Sequence, residues 1–318
     1  MNEKKCLYCY KRLGVSENDF HLKCSKNFFR TENIPTLDLS LSEVDDYAVN
    51  LLQRSVSVTG VQPKLSIDIR KNRNEPPRLT LVGLWGNYIL KPPQNDYLEM
   101  PEIEDLTMRM AKLAGIQTAE HSLIRMKSGE LAYISKRFDR TLKEKLHVED
   151  FAQLLEVLTE RKYSGSVERI GRGILKYSSF PGNDLINLFE IILFSYIIGN
   201  SDMHLKNYSL LRDEHDDIKL SPAYDLLSTK LLLTDDKEEY AITINGKKSQ
   251  ITRKDFDMLS ENFYITPKTL VIIYKKFTEI YDSWKEIIQR SFLSEEAQEK
   301  YITLIKVNLE KIDLISEK

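Results

Sequence analysis

The chain has 318 residues, 42% of them hydrophobic and 30% charged, so two lobes or domains are expected and a disordered chain is excluded. Its formal net charge of −2 excludes autonomous nucleic-acid binding through a global basic field. The charged first residues contain no apolar signal segment, and the most apolar run, 185–199, is too short to cross a bilayer. We therefore expect a cytoplasmic protein that does not bind membranes.

All three cysteines lie within the first 24 residues, where they form a pattern with one histidine. Cys6 and Cys9 are separated by two residues, and so are His21 and Cys24. Three thiolates and one imidazole match tetrahedral zinc chemistry in the type and number of ligands. The pattern predicts a structural zinc site in an N-terminal arm, 1–30, and free thiols on a loosely ordered arm are the alternative.

The next segment predicts strands. After a linker and an amphipathic helix near 42–53, β-branched residues and a later alternation of apolar residues predict two strands around a turn at Gly60. A further predicted strand ends at Lys91, from which a lysine can reach the phosphates of ATP.

A helix with Pro101 near its start and Gly115 at its end is predicted to follow. It carries two acids that could pair with Lys91. Glu104 is the preferred partner and Glu102 is the alternative.

A hairpin with a glycine turn is predicted after this helix, and the backbone of 136–138 at its end is where adenine could be bound. From His147 the apolar spacing changes to a helical period, which predicts a helix. The glycine-containing stretch 163–173 is predicted to be a loop, and the apolar run 185–199 to be a buried helix.

The stretch 197–209 carries the strongest chemical signal. It places Asp202 and Asn207 five positions apart, and Asp225 follows a predicted short hairpin. Protein kinases have an aspartate, four intervening residues and an asparagine on the catalytic loop, followed by a magnesium-binding aspartate. The spacing therefore predicts a phosphoryl-transfer site.

From Lys254 onward the chain is predicted to be helical, with Thr266 and Pro267 at one helix start and a long apolar stripe that packs in a core. The predicted class is α+β. We expect a two-lobed, protein-kinase-like fold with a β-rich N-lobe, 35–137, and a mainly helical C-lobe, 138–318.

Six blocks of the sequence together resemble one known family. In chain order they read SVTGVQPK, YILKP, SKRFDR, HVEDFAQL, IGNSDMHLKNYS and SPAYDLL. They resemble the HipA family of serine/threonine kinases, which are toxins of bacterial toxin–antitoxin systems. The chain is most similar to the short HipT-type members, which lack an N-terminal subdomain that a separate small protein supplies.

The resemblance implies roles for the residues of the reaction. Asp202 resembles the catalytic base, and Asn207 and Asp225 resemble the magnesium ligands. Lys91 resembles the phosphate-binding lysine, and Lys64 matches a lysine of the phosphate-loop motif.

The resemblance also implies a nucleotide site and a regulatory site. Gly60 would lie in the phosphate-covering loop, with Phe138 and Tyr224 near the nucleotide. Ser57 matches a serine that family members autophosphorylate, and Ser55 completes an S-x-S pair. Phosphate on Ser57 would add negative charge where ATP places its own phosphates.

The expected function is therefore that of an ATP- and Mg²⁺-dependent toxin kinase. Its substrate would be a protein, and the family indicates an aminoacyl-tRNA synthetase. Its partners would be a HipB-like DNA-binding antitoxin and a separate HipS-like protein. The alternatives are a small-molecule phosphotransferase and a catalytically silent binding module of kinase fold.

Overall fold

The computed structural model describes residues 4–44, 63–71, 75–82, 85–94, 96–97, 99–141, 144–233 and 235–316. The chain forms two compact units. The first comprises Met1–Asp105, Ala119–Arg137 and Arg290–Phe292, and the second comprises Leu106–Thr118, Phe138–Gln289 and Leu293–Lys318. The first is rich in strands and the second in helices, which confirms the predicted α+β class.

The first unit is built around one sheet. Its strands are β1 (Thr36–Leu37), β2 (Leu65–Arg70), β3 (Arg78–Leu81), β4 (Tyr88–Lys91), β5 (His121–Arg125) and β6 (Leu131–Lys136). Within the described residues the strand order is β1-β3-β2-β4-β6-β5, and only β1 and β3 pair in parallel. The predicted strand that ends at Lys91 and the predicted hairpin after it are thereby confirmed.

The N-terminal cysteine segment packs into the core of this same unit. Its helix Leu22–Phe29 contributes Phe28 and Phe29, which are buried with Ile67 of β2 and Leu90 of β4. Tyr88 of β4 lies against both phenylalanines, with ring centroids 5.8 and 6.1 Å apart. The segment is therefore part of the hydrophobic core beneath the sheet.

The second unit contains most of the helices. In chain order they are Phe151–Leu154, Val167–Tyr177, Pro181–Ile197, Thr229–Leu232, Arg253–Asn262, Pro267–Glu279, Tyr281–Gln289 and Glu295–Lys311, with short 3₁₀ turns at Thr159–Arg161 and Leu205–Asn207. Another helix, Met100–Leu113, begins among residues of the first unit. The predicted C-terminal helices and their buried apolar stripe are confirmed, since Ile273, Phe277 and Trp284 are buried.

The apolar helix begins earlier than predicted, at Pro181. Proline suits the first turn of a helix because its missing N–H would have no partner there. The helix ends at Ile197, and Asn308 donates to the carbonyls of Tyr196 and Ile197, at 3.1 Å each. This contact satisfies carbonyl groups that a helix end leaves without an internal partner.

The helix predicted from His147 is wrong over its first residues. His147–Asp150 is strand β7, and it pairs antiparallel with β8 (Ser209–Arg212), which pairs in turn with β9 (Ile218–Leu220). Only Phe151–Leu154 is helical, because Asp150 forms a capping box with Gln153 and starts the helix there. The predicted hairpin after Asn207 is confirmed as β8 and β9.

The loop predicted over 163–173 is also wrong in its second half. Val167–Tyr177 is a helix, capped by the side chain of Ser166, which accepts a hydrogen bond from the backbone of Arg169. The glycines of this helix allow side chains of neighbouring segments to pack closely against it, and they do not form a turn. A methyl group added at Gly171 would lie 2.4 Å from the ring of Phe263.

Three predictions lie outside the described residues. They are the turn at Gly60, the expected autophosphorylation sites Ser55 and Ser57, and most of the helix 42–53. Within the described ranges, no helix combines the length and the apolar character that crossing a membrane requires.

Candidate active site

The first unit carries Lys91 in a buried ion pair. Lys91 is the last residue of β4 and lies opposite Tyr133 of β6, with its Nζ atom 5.3 Å from the centre of the Tyr133 ring. Its side chain is only 5% exposed, and Nζ lies 2.5 Å from Oε1 of Glu104. A buried lysine needs such a partner, because an unpaired charge in the interior is strongly unfavourable.

The structure decides between the two acids that could pair with Lys91. Both lie in the first turns of Met100–Leu113, and Glu104 is the one that contacts Lys91. Burial raises the pKa of Glu102 to about 7. Protein kinases hold their phosphate-binding lysine with a helix-borne glutamate in this way.

In the second unit, the loop that carries Asp202 begins at Gly199, where the side chains of Leu304 and Lys230 lie close to the backbone. Its φ of 70° favours glycine, and a methyl group there would lie 2.9 Å from Leu304 and 3.1 Å from Lys230. The next residues are held by Thr229, which accepts a hydrogen bond from the backbone N–H of Ser201 at 2.8 Å. Glycine is therefore required where the apolar helix passes into the loop.

The carboxylate of Asp202 is oriented by Tyr163. The Tyr163 hydroxyl donates to Oδ1 of Asp202 at 2.7 Å, and burial followed by this hydrogen bond raises the pKa of Tyr163, so the hydroxyl keeps its proton. The backbone N–H of Asp202 donates to Oδ1 of Asn200 at 3.2 Å. A carboxylate held in this way can accept a proton from a hydroxyl group.

Sequence reasoning missed Tyr163. It lies 39 positions before Asp202, in a stretch predicted to be an ordinary loop, and no pattern in the sequence joins the two residues. Only the fold of the second unit brings them together. The spacing of five positions between Asp202 and Asn207 identifies these two residues in the sequence, and no such spacing identifies Tyr163.

His204 is a buried neutral imidazole beside these acids. Burial lowers its pKa to about 4, although the nearby carboxylates of Asp202 and Asp225 act in the opposite direction. The ring of Tyr163 packs edge-on against the His204 ring, with centroids 5.2 Å apart. His204 thus packs against Tyr163 without adding positive charge beside Asp202.

Asn207 is positioned for its amide oxygen to serve as a ligand. Its Nδ2 atom donates to the backbone carbonyl of Asp202 at 3.0 Å, and its own N–H donates to the carbonyl of His204 at 2.9 Å. The amide nitrogen is therefore occupied within the loop. The amide oxygen is a hard donor of the kind that Mg²⁺ prefers.

Asp225 follows β9 and has a backbone φ of 55°, in the left-handed region that aspartate tolerates. The preceding residue, Tyr224, donates from its hydroxyl to the carbonyl of Lys206 at 2.9 Å and stacks on Phe138 with centroids 5.5 Å apart. The carboxylate of Asp225 and the amide oxygen of Asn207 are hard oxygen ligands, so the chemistry of these two side chains fits Mg²⁺.

The remaining sequence-predicted site residues are placed as follows. Lys64 is exposed and immediately precedes β2. Cys6, Cys9, His21 and Cys24, which we call the cysteine–histidine cluster, have their ligand atoms within 4.8 Å of one another in the first unit. The structure thus brings together all four predicted zinc ligands.

Comparison with known proteins connects the chain to one family. The family of HipA-like C-terminal domains matches residues 56–287. "Putative kinase Y4dM" of Sinorhizobium fredii (strain NBRC 101917 / NGR234) is 30% identical over 270 residues, which cover 81% of this chain and 63% of that protein. A "Putative kinase" of Haemophilus influenzae is 27% identical over 295 residues, or 83% and 84% of the two chains. The chain thus spans less than two thirds of the first of these relatives.

Two solved structures share the fold. One is HipA of Shewanella oneidensis MR-1 in a toxin–antitoxin complex with HipB and operator DNA, with a TM-score of 0.67, 21% identity, and 84% of this chain and 70% of that chain covered. The other is the proinflammatory kinase CtkA of Helicobacter pylori, with a TM-score of 0.53, 16% identity, and 79% and 94% covered. The fold is therefore the two-lobed, protein-kinase-like one predicted from the sequence.

Proposed function

The chain belongs to the family of HipA-like C-terminal domains, and on that premise we propose that it is an ATP-dependent serine/threonine protein kinase, the toxin of a bacterial toxin–antitoxin system. The observation that carries the proposal is the buried ion pair of Lys91 and Glu104. A kinase needs this pair in order to place its lysine on the phosphates of ATP. A silent binding module has no use for a charge pair that is expensive to bury.

In the proposed reaction, Asp202 accepts the proton of the substrate hydroxyl as that oxygen attacks the γ-phosphorus, and the bond to the β-phosphate oxygen breaks so that ADP leaves. Tyr163 holds the carboxylate in position through its 2.7 Å hydrogen bond. Asn207 and Asp225 would hold Mg²⁺, which neutralises charge on the β- and γ-phosphate oxygens when bound. Most of the rate enhancement in such a site comes from positioning and electrostatic stabilisation.

The nucleotide would be bound by several further residues. Lys91 and Lys64 would contact phosphates, and Gly60 would lie in the loop that covers them. Phe138 and Tyr224, which stack on each other, would form an aromatic surface near the nucleotide.

The finer class and its regulation are also part of the proposal. We assign the chain to the short HipT-type kinases and expect Ser57, with Ser55, to be autophosphorylated. The added phosphate would repel the phosphates of ATP and lower its affinity.

The proposed substrate is an aminoacyl-tRNA synthetase in the cytoplasm. The proposed partners are a HipB-like antitoxin, by analogy with the complex of the Shewanella protein, and a HipS-like small protein. The metal ions would be Mg²⁺ at the catalytic loop and Zn²⁺ at the cysteine–histidine cluster.

The test is transfer of radiolabel from ATP by purified protein in Mg²⁺, both to itself and to candidate synthetases. We expect Asp202→Asn to abolish labelling, because the variant keeps the shape of the side chain but cannot accept the proton. Asp216→Asn, at an exposed turn of the second unit, is the matched control and should label like the wild type.

Equal labelling by Asp202→Asn and the wild type would refute the assigned base. Labelling of a small hydroxyl compound without any labelled protein would favour the small-molecule phosphotransferase. Thermal unfolding with and without Mg-ATP tests the remaining alternative, a catalytically silent binding module, since such a module would show no stabilisation by nucleotide.

A further inference from the structure

The cysteine–histidine cluster has the dimensions of a tetrahedral zinc site. Nδ1 of His21 lies 3.4 Å from Sγ of Cys9 and 3.7 Å from Sγ of Cys24, and all four ligand atoms lie within 4.8 Å of one another. Zinc bonds of about 2.0–2.3 Å at tetrahedral angles separate ligand atoms by roughly 3.5–3.8 Å. The size and chemistry of the cluster therefore fit Zn²⁺.

The orientation of His21 supports metal binding. Its Nε2 atom lies 3.0 Å from the backbone carbonyl of Arg12. A carbonyl can only accept, so Nε2 carries the hydrogen, and in the neutral ring that binds a metal the lone pair is then on Nδ1, which faces the sulfur atoms. Histidines that bind zinc donate their second N–H to such a partner.

The first two cysteines lie in a tight turn that ends at Tyr10. The N–H of Tyr10 donates to the carbonyl of Cys6 at 2.9 Å, and the N–H of Cys6 donates to the carbonyl of Lys11 at 2.8 Å. Tyr10 has a φ of 63°, which is uncommon for a tyrosine and needs support from its surroundings. A metal ion bound to the adjacent Cys9 would supply that support.

Tyr10 in turn contacts the helix that carries Glu104. Its hydroxyl donates to Oδ2 of Asp105 at 2.7 Å, and Nδ1 of His121 donates to Oδ1 of Asp105 at 2.7 Å. Asp105 is fully buried and follows Glu104, the partner of Lys91. The turn and the ion pair are thus joined by one buried carboxylate within the first unit.

We propose that the cysteine–histidine cluster binds one structural Zn²⁺ ion and that the metal-bound turn, through Tyr10 and Asp105, positions Glu104 and Lys91. Tyr10 is a positioning residue that does not itself touch nucleotide. This inference rests on the proposed kinase function, because the position of Lys91 matters only where it binds phosphate. The zinc site itself does not depend on that function.

Metal analysis of the purified chain tests the site. We expect one zinc per chain at neutral pH, and a substoichiometric content in His21→Ala. The exposed His215 lies in the turn between β8 and β9 and provides a control of the same residue type, so His215→Ala should keep one zinc. A wild-type chain without zinc, or equal zinc in the two variants, would overturn the site.

Tyr10→Phe tests the connection to Lys91 without disturbing the ligands. It removes the hydroxyl and its hydrogen bond to Asp105 but keeps the ring, so we expect one zinc per chain and a dissociation constant for Mg-ATP raised roughly two- to tenfold, the effect of one lost hydrogen bond. Tyr264→Phe, at a tyrosine that is 76% exposed, should leave that constant unchanged. Calorimetry on dephosphorylated protein measures both.

A double-mutant cycle distinguishes positioning from a general loss of stability. In a Glu104→Gln background, Tyr10→Phe should not weaken Mg-ATP binding further, because the route to Lys91 is already broken. Equal weakening in both backgrounds, or none in either, would overturn the connection. A wild-type chain that binds zinc but not Mg-ATP would overturn the kinase function and the connection, while the zinc site would stand on the metal analysis.

Discussion

Lys91 and Glu104 form a buried pair of opposite charges in the first unit. The contribution of this pair to the free energy of unfolding depends on both partners being present. The side chains are 5% and 1% exposed. Desolvation of two ions is offset only when each faces the other, so such a pair adds little net stability while its loss leaves an isolated charge. Stability alone therefore does not explain the pair, which agrees with the proposed role of Lys91 in binding phosphate.

We expect Lys91→Met to lower the free energy of unfolding by about 3–5 kcal/mol, because Glu104 then remains buried without its cation. The double variant Lys91→Met with Glu104→Leu should recover most of that loss. Urea unfolding followed by circular dichroism measures both values.

An exposed pair in the same unit is the control for this experiment. Lys26 and Glu32 lie 2.8 Å apart with side chains 65% and 60% exposed, so Lys26→Met should leave stability unchanged. A double variant as unstable as Lys91→Met alone would contradict this explanation, since loss of the Lys91 cation beside the Glu104 carboxylate would then not be the cause.

The hydrogen bond of Tyr163 contacts one carboxylate oxygen of Asp202, the proposed catalytic base. Tyr163→Phe should lower kcat roughly 10- to 150-fold, the effect of one hydrogen bond to a charged group, and should leave KM for ATP unchanged. Steady-state kinetics with the labelled protein substrate measures both constants. A rise in KM at constant kcat would show that Tyr163 contributes to nucleotide binding and does not orient the base.

At the scale of elements, period and turn residues predicted most of the chain correctly. Strands β2, β4, β5 and β6 and the C-terminal helices have strong alternation or strong helical periodicity, and they formed as predicted. The segment beginning at His147 failed because its backbone pairs with Ser209–Arg212, about 60 positions later. Pairing over that distance leaves no local signal in the sequence.

The spacing of Asp202 and Asn207 could be recognised in the sequence for a related reason. Asp202 and Asn207 lie in one loop, so a local pattern carries their relationship, whereas the contact of Tyr163 with Asp202 depends on the fold. The pairing of Lys91 with Glu104 was predicted by analogy with the helix-borne glutamate of protein kinases, and the structure confirms the contact. Residues of one loop can therefore be recognised from the sequence by their spacing. Contacts between residues far apart in the chain can be predicted only where a known arrangement of elements restricts them.

The glycines in the helix Val167–Tyr177 also depend on tertiary contacts that the sequence does not show. Gly171→Ala should destabilise the protein by about 1–3 kcal/mol, because the added carbon would lie 2.4 Å from the buried ring of Phe263. Gly182→Ala, in the first turn of Pro181–Ile197, has no atom within 4 Å of the added carbon and should be neutral or stabilising. Thermal unfolding of the two variants compares them, and equal destabilisation would contradict the packing argument.

At the scale of the whole molecule, 46 basic and 48 acidic residues nearly cancel. Repulsion from net charge is therefore weak at neutral pH, and the response to acid depends on particular carboxylates. Asp255 is the clearest of these, since it is 1% exposed and accepts hydrogen bonds from Thr252, Asn245 and Lys247 at 2.8 to 2.9 Å. Burial alone would raise the pKa of Asp255, but these bonds outweigh burial and hold that pKa well below its usual range.

The folded state of the second unit should therefore lose stability in acid through Asp255. The ionised carboxylate of Asp255 makes its full contribution to the free energy of unfolding at pH values above about 3.9, the pKa of aspartate in the unfolded chain. This contribution falls by about 1 kcal/mol between pH 5 and pH 3, because the unfolded chain takes up the proton there and the folded chain does not. Asp255→Asn should be about 1–3 kcal/mol less stable than the wild type at pH 7, and this difference should narrow at pH 3. Urea unfolding followed by the buried Trp284, in a Trp85→Phe background, measures the difference, with the exposed Asp216→Asn as control. A difference that stays constant from pH 7 to pH 3 would show that Asp255 stabilises the unit by its shape and not by its charge.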